Sequence, residues 1–138
     1  MEIDESITII RDYVPESEDF DDFIILGIVK DGIYKRLEYV LQSIFDICVI
    51  INRDLKLGIP QNDDDIIKNL VTAGIIENQM GELLKDMKGM RNILVHQYGK
   101  INDDIVFHVI TTQLDDISSI SNHFRQVLDT YQNTYPDA

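Results

Sequence analysis

The 138 residues suffice for one domain around a single hydrophobic core, and a composition 44% apolar and 27% charged is that of an ordinary globular protein. A net charge of −13 argues against a broad, nonspecific nucleic-acid binder. No apolar run is long enough to span a bilayer, the acidic start Met1-Glu2-Ile3-Asp4-Glu5 is the reverse of a basic signal peptide, and the single Cys48 excludes an internal disulfide, so a cytoplasmic protein is expected.

Helical spacing recurs along the chain, and strand alternation persists nowhere. Ile3, Ile7, Ile10 and Val14 mark a first helix that Pro15 stops. The acidic stretch Glu16 to Asp22 leads into a long helix with a buried stripe of Ile33, Leu37, Val40, Leu41, Ile44, Ile47, Cys48 and Ile51. Cys48 reads there as core filling. Gly58 and Pro60 end that helix. Asn62 or Asp63 caps a short third one carrying Ile66, Ile67, Leu70 and Val71, which Gly74 terminates. A fourth starts near Asn78, carries Leu83, Leu84, Met87, Met90, Leu94 and Val95, and ends at Gly99. Asn102 or Asp103 caps a fifth, with Val106, Ile110, Ile117, Ile120, Phe124 and Val127 or Leu128 inward. The expected fold is an all-α, up-and-down bundle of about five helices in one domain over residues 1–131, followed by a polar tail over 132–138.

Charge is unevenly spread. Between Met80 and Lys100 stand four cations, Lys85, Lys88, Arg91 and Lys100, against two anions, Glu82 and Asp86, so this stretch is positive by two within a body that sums to −15 outside it. Two readings remain. The lysines form an ordinary solvated helix face, or Lys85, Lys88 and Lys100 make a small basic patch that contacts an RNA backbone.

The phrase Arg91-Asn92-Ile93-Leu94-Val95-His96-Gln97-Tyr98 places an arginine, a histidine and a tyrosine near the end of the fourth helix. An arginine can stabilise charge on a phosphoryl group, and a histidine can move a proton near neutral pH. At ~100° per residue, Arg91 falls inside the apolar arc of its helix, where a guanidinium is costly unless paired or turned toward a cleft. It either snorkels or pairs with a core carboxylate such as Glu38, or it faces a site. His96 lies ~140° round and ~7.5 Å further along a continuous helix. The two cooperate if the helix loosens before Gly99 or if two chains line one cleft; otherwise His96 is a surface or capping residue. Tyr98 is either a ring closing the bundle end or an exposed phenol open to modification. His108, His123 and Cys48 show no ligand spacing, so neither a metal site nor a cofactor is expected.

Ala73-Gly74-Ile75-Ile76, Leu83 or Leu84, Met87, Gly89 and then Arg91-Asn92-x-Leu94-Val95-His96-x-Tyr98 together resemble the HepT-like family of the HEPN superfamily, with weaker similarity around Tyr34-Lys35-Arg36-Leu37-Glu38 and over the fifth helix. The resemblance implies a dimerising helical ribonuclease toxin, metal-independent, with two R-x4-H-x-Y motifs flanking a cleft. It implies that Arg91 and His96 are catalytic and that Asn92 supports them. It further implies an MntA-type nucleotidyltransferase antitoxin that silences the nuclease by adding AMP to Tyr98, with tRNA or mRNA as substrate. The competing class is a non-catalytic helical partner that presents a nucleotide to such a transferase; growth arrest cured by His96→Ala fits the nuclease alone.

Overall fold

The computed structural model describes residues 2–15, 19–96 and 101–134, of which 2 and 132–134 by backbone alone. Over these residues the chain is helical throughout, with seven helices instead of about five: α1 (Glu2–Tyr13), α2 (Phe20–Ile24), α3 (Ile28–Asp54), α4 (Asp63–Thr72), α5 (Asn78–His96), α6 (Asp103–Thr112) and α7 (Leu114–Thr134). Both extra elements have local causes. Asp19 caps α2 by accepting the Asp21 and Asp22 N–H groups at 2.8 and 3.4 Å, and Gly27, at φ +58°, turns the chain into α3 in a conformation that favours glycine. The expected fifth helix divides at Gln113. There the Thr111 and Thr112 hydroxyls bond back to the Phe107 and His108 carbonyls, a competition with the helix ladder that favours a bend. The α7 helix continues to Thr134.

The central element is α3, with α1, α4, α5 and α7 packed against it. Its stripe Ile33, Leu37, Val40, Leu41, Ile44, Cys48 and Ile51 is buried, as are Ile117, Ile120 and Phe124 of α7. Cys48 sits wholly inside; burial first, and then the Asp63 carboxylate, push its thiol up to about 12. It is an inert core side chain.

The close pair is α4 with α5. Gly74, at φ +74°, ends α4, and α5 folds back along it. A Cβ on Gly81 would lie 2.9 Å from Val71 Cγ2, so glycine permits this approach where the two helices meet. The opposite end of the pair carries Asp63 and the candidate site residue Arg91.

Candidate active site on the motif helix

The first turn of α4 is held by a reciprocal cap: the Asn62 side chain accepts the Asp65 N–H at 2.9 Å, and the Asp65 carboxylate accepts the Gln61 N–H at 2.9 Å. The connection leading into it is pinned by buried Asn52, which donates to the Gly58 carbonyl at 2.8 Å and accepts from Asn69 Nδ2 at 3.0 Å. This frame presents Asp63 and Asp64 to α5.

Arg91 answers the cost of its place in the apolar arc by three contacts. Its Nη2 donates to Asp63 Oδ2 at 2.6 Å and to Asn92 Oδ1 at 3.2 Å, and its guanidinium carbon lies 4.7 Å from the centroid of the Phe45 ring. Its side chain is 12% exposed. The carboxylate is therefore not Glu38, which pairs with Lys35 one turn away on α3 at 2.7 Å. One turn before Arg91, Lys88 Nζ donates to Asp64 Oδ1 at 2.8 Å. That bond, aided by the Lys88 and Lys85 charges against a smaller desolvation effect, holds the Asp64 carboxyl below the usual carboxylate range. Lys85 makes only a loose contact with Glu82 at 3.4 Å. Of the three lysines expected to touch RNA, two are thus engaged with carboxylates of the chain itself, and Lys100 lies outside the described residues.

His96 is exposed on the last residue of α5. The helix stays α-helical up to it, so it does not loosen before the histidine, and the ~140° offset from Arg91 holds within one chain. Tyr98 lies outside the described residues. Near His96, Val95 and Tyr39 are both exposed and line a groove of about 580 Å³ with Gly32, Lys35, Arg36 and Gln42. On the far side, buried Tyr34 donates its hydroxyl to Asp103, and Lys30 pairs with the same carboxylate at 3.2 Å, fixing the start of α6 on α3. Burial first, then this bond, push the Tyr34 phenol far up. Among the described residues no three His, Cys, Asp or Glu side chains are grouped to hold a metal ion, and no helix is long and apolar enough to cross a membrane.

Sequence reasoning missed Asp63 and Phe45 as partners of Arg91. Asp63 read only as a helix cap. Phe45 was hidden between Ile44 and Cys48, although it lies four residues after Leu41 and three before Cys48, the spacing of the buried face.

Chemically, the arrangement offers a half-tethered guanidinium over an aromatic ring for an anion and a solvent-facing imidazole for proton transfer. The fold that carries it is an all-helical one shared with chains of known toxin–antitoxin assemblies. Similar folds occur in a toxin–antitoxin MntA–HpeT crystal structure (TM-score 0.78, 30% identity, covering 91% of this chain and 92% of that one) and in a structure of tri-AMPylated Shewanella oneidensis HEPN toxin in complex with MNT antitoxin (TM-score 0.66, 28% identity, 91% and 97%). Residues 3–124 match the family described as ribonuclease HepT-like, and the chain belongs to that family. An mRNA nuclease HepT of Shewanella oneidensis is 38% identical over 88 residues, 64% of this chain, and a putative RNase of Archaeoglobus fulgidus is 32% identical over 75 residues, 54% of it. The chain spans 66% and 56% of the lengths of these two relatives.

Proposed function

We propose that this protein is a ribonuclease toxin of a toxin–antitoxin pair, acting in the cytoplasm on RNA, with tRNA or mRNA as the substrate class. The observation that carries the reading is Arg91: a nearly buried guanidinium, lying over the Phe45 ring and held at one nitrogen, on the same helix as an exposed His96. A core arginine that served packing alone would not need a histidine and a tyrosine at this spacing beyond it. Membership of the HepT-like family supports the same assignment.

In the proposed reaction the RNA 2′-oxygen attacks the adjacent phosphorus, the bond to the 5′-oxygen breaks, and a 2′,3′-cyclic phosphate and a 5′-hydroxyl result. Arg91 stabilises the charge that develops on the phosphoryl oxygens, with Asn92 orienting it. His96 carries the proton, and because one imidazole cannot be base and acid in one turnover, a second copy's His96 supplies the other role. The continuous α5 helix favours this composite cleft over a site on one chain. No step calls for a metal. The folded unit of residues 1–131 would act with an MntA-type nucleotidyltransferase as its antitoxin, which silences it by adding AMP to Tyr98.

Incubation of the purified, unmodified protein with a labelled RNA tests the reading. Cleavage should persist in EDTA and fall at least about a hundredfold in Arg91→Ala and in His96→Ala, both retaining helical circular dichroism. Loss of cleavage in EDTA, or full cleavage by either variant, contradicts it.

A further inference from the structure

The carboxylate that holds Arg91 occupies the nitrogen a phosphate most needs. A guanidinium offers two fork edges for bidentate pairing, Nε with Nη2 and Nη1 with Nη2, and Nη2 is common to both. In this protein both acceptors of Arg91 among the described residues, Asp63 Oδ2 at 2.6 Å and Asn92 Oδ1 at 3.2 Å, fall on Nη2. Nη2 has only two hydrogens, so with both acceptors in place neither fork is open and a phosphate can take single N–H contacts only. Asp63 also brings a negative charge within contact distance of where a phosphate must sit. The arrangement repeats one turn away, where Asp64 receives Lys88 at 2.8 Å. Neither carboxylate is required by the core: Asp63 is partly exposed and Asp64 is exposed.

From this we propose that Asp63 is an internal competitor for phosphate at Arg91, a latch that must release Nη2 before the guanidinium can grip the RNA backbone with both prongs. The proposal rests on the reading of Arg91 as the phosphate-binding residue. Phe45 makes release possible without losing the arginine, since the cation–π contact over its ring holds the guanidinium while its hydrogen-bond partner is exchanged. Asn92, bonded to the same nitrogen by a neutral and longer contact, is the partner that stays. Asp64 on Lys88 acts in the same sense and at greater exposure, so its effect is smaller.

The test is binding of a fluorescein-labelled, fully 2′-O-methylated single-stranded RNA, which lacks the attacking hydroxyl, to the full-length protein by anisotropy over a range of salt. Asp63→Asn keeps the shape and removes the charge; it should bind about tenfold tighter, with the plot of log Kd against log salt steeper by ~0.7, the increment for one added phosphate contact on a single strand. Asp63→Ser, lacking the carboxylate and most of the reach, should do the same, so a folding defect in one variant does not decide the result. The gain should vanish when Arg91 is also alanine. Unchanged or weaker binding by both variants overturns the latch, and so does an equal gain with and without Arg91, which would be a general charge effect. If Arg91→Ala alone leaves binding unchanged, the phosphate role of Arg91 falls and the latch falls with it; if Arg91→Ala weakens binding but neither Asp63 variant tightens it, only the latch falls.

Discussion

Asp63 and Arg91, 28 residues apart in sequence, meet at 2.6 Å because α5 folds back along α4 and glycine lets the two helices approach at the far end. The register of the pair is set by Val71 against Gly81 and read out by Asp64 on Lys88 and Asp63 on Arg91. Arg91 on α5 is thus placed by packing ten residues away from it.

Gly81→Ala tests that dependence. In an open helix interior such a change gains roughly 0.5–1 kcal/mol from backbone entropy. At Gly81 the new Cβ meets Val71 Cγ2 at 2.9 Å, and overpacking of this kind costs about 1–3 kcal/mol. The net expectation is a lower midpoint of thermal unfolding, followed by circular dichroism, with reduced RNA cleavage as α5 shifts from α4. A raised midpoint contradicts the close approach.

Cys48 offers a second check on the core. A thiol pushed up to about 12 by burial and by Asp63 is protonated and shielded at pH 8. Iodoacetamide should leave the native protein unmodified by intact mass and alkylate it fully in denaturant. Rapid native alkylation would mean that α3 is not packed as described.

The helical class, the buried stripe of α3, the Asn62 and Asn102 caps and the Gly74 stop were legible in sequence, because each follows from local spacing or from one residue's conformational preference. The break at Gln113 was not. Val106, Ile110, Ile117 and Ile120 hold a period compatible with one helix across it, and only the threonine back-bonds interrupt the ladder. At the site, the place of Arg91 in an apolar arc left snorkelling, pairing with a carboxylate such as Glu38 or facing a cleft open; the guanidinium is paired, with the part-exposed Asp63 and not with Glu38. Which carboxylate meets a guanidinium is decided by how two helices pack, and no local pattern in Asp63-Asp64-Asp65 distinguishes a helix cap from an ion-pair partner.

The proposed composite cleft requires a homodimer, because Arg91 and His96 are separated on a continuous helix. The exposed Tyr39 and Val95 near His96 would supply apolar surface for it. Light scattering at micromolar concentration should give twice 15.9 kDa, and Val95→Asp should shift the mass toward the monomer and lower cleavage together. A monomer with full activity contradicts the composite cleft.

The regulatory half of the proposal is carried by Tyr98. AMP on its phenol adds a negative phosphodiester two residues beyond His96, able to pair with Arg91 and to occupy the place of the RNA backbone. With a co-encoded nucleotidyltransferase and ATP, peptide mass spectra should place AMP on Tyr98, and cleavage should fall as it accumulates. Tyr98→Phe should escape that suppression. Modification at Tyr34 or Tyr39 instead would contradict this regulation; Tyr34 is already buried and bonded to Asp103.

The central claim is that His96 moves the proton in a metal-free attack by the RNA 2′-hydroxyl. The most direct measurement is the chemistry of the new ends made by unmodified protein in EDTA. The account predicts a 2′,3′-cyclic phosphate on one fragment and a 5′-hydroxyl on the other, both absent with His96→Ala and with RNA carrying a 2′-O-methyl group at the cleavage position. A 5′-phosphate product, or cyclic-phosphate ends formed equally well by His96→Ala, would contradict it.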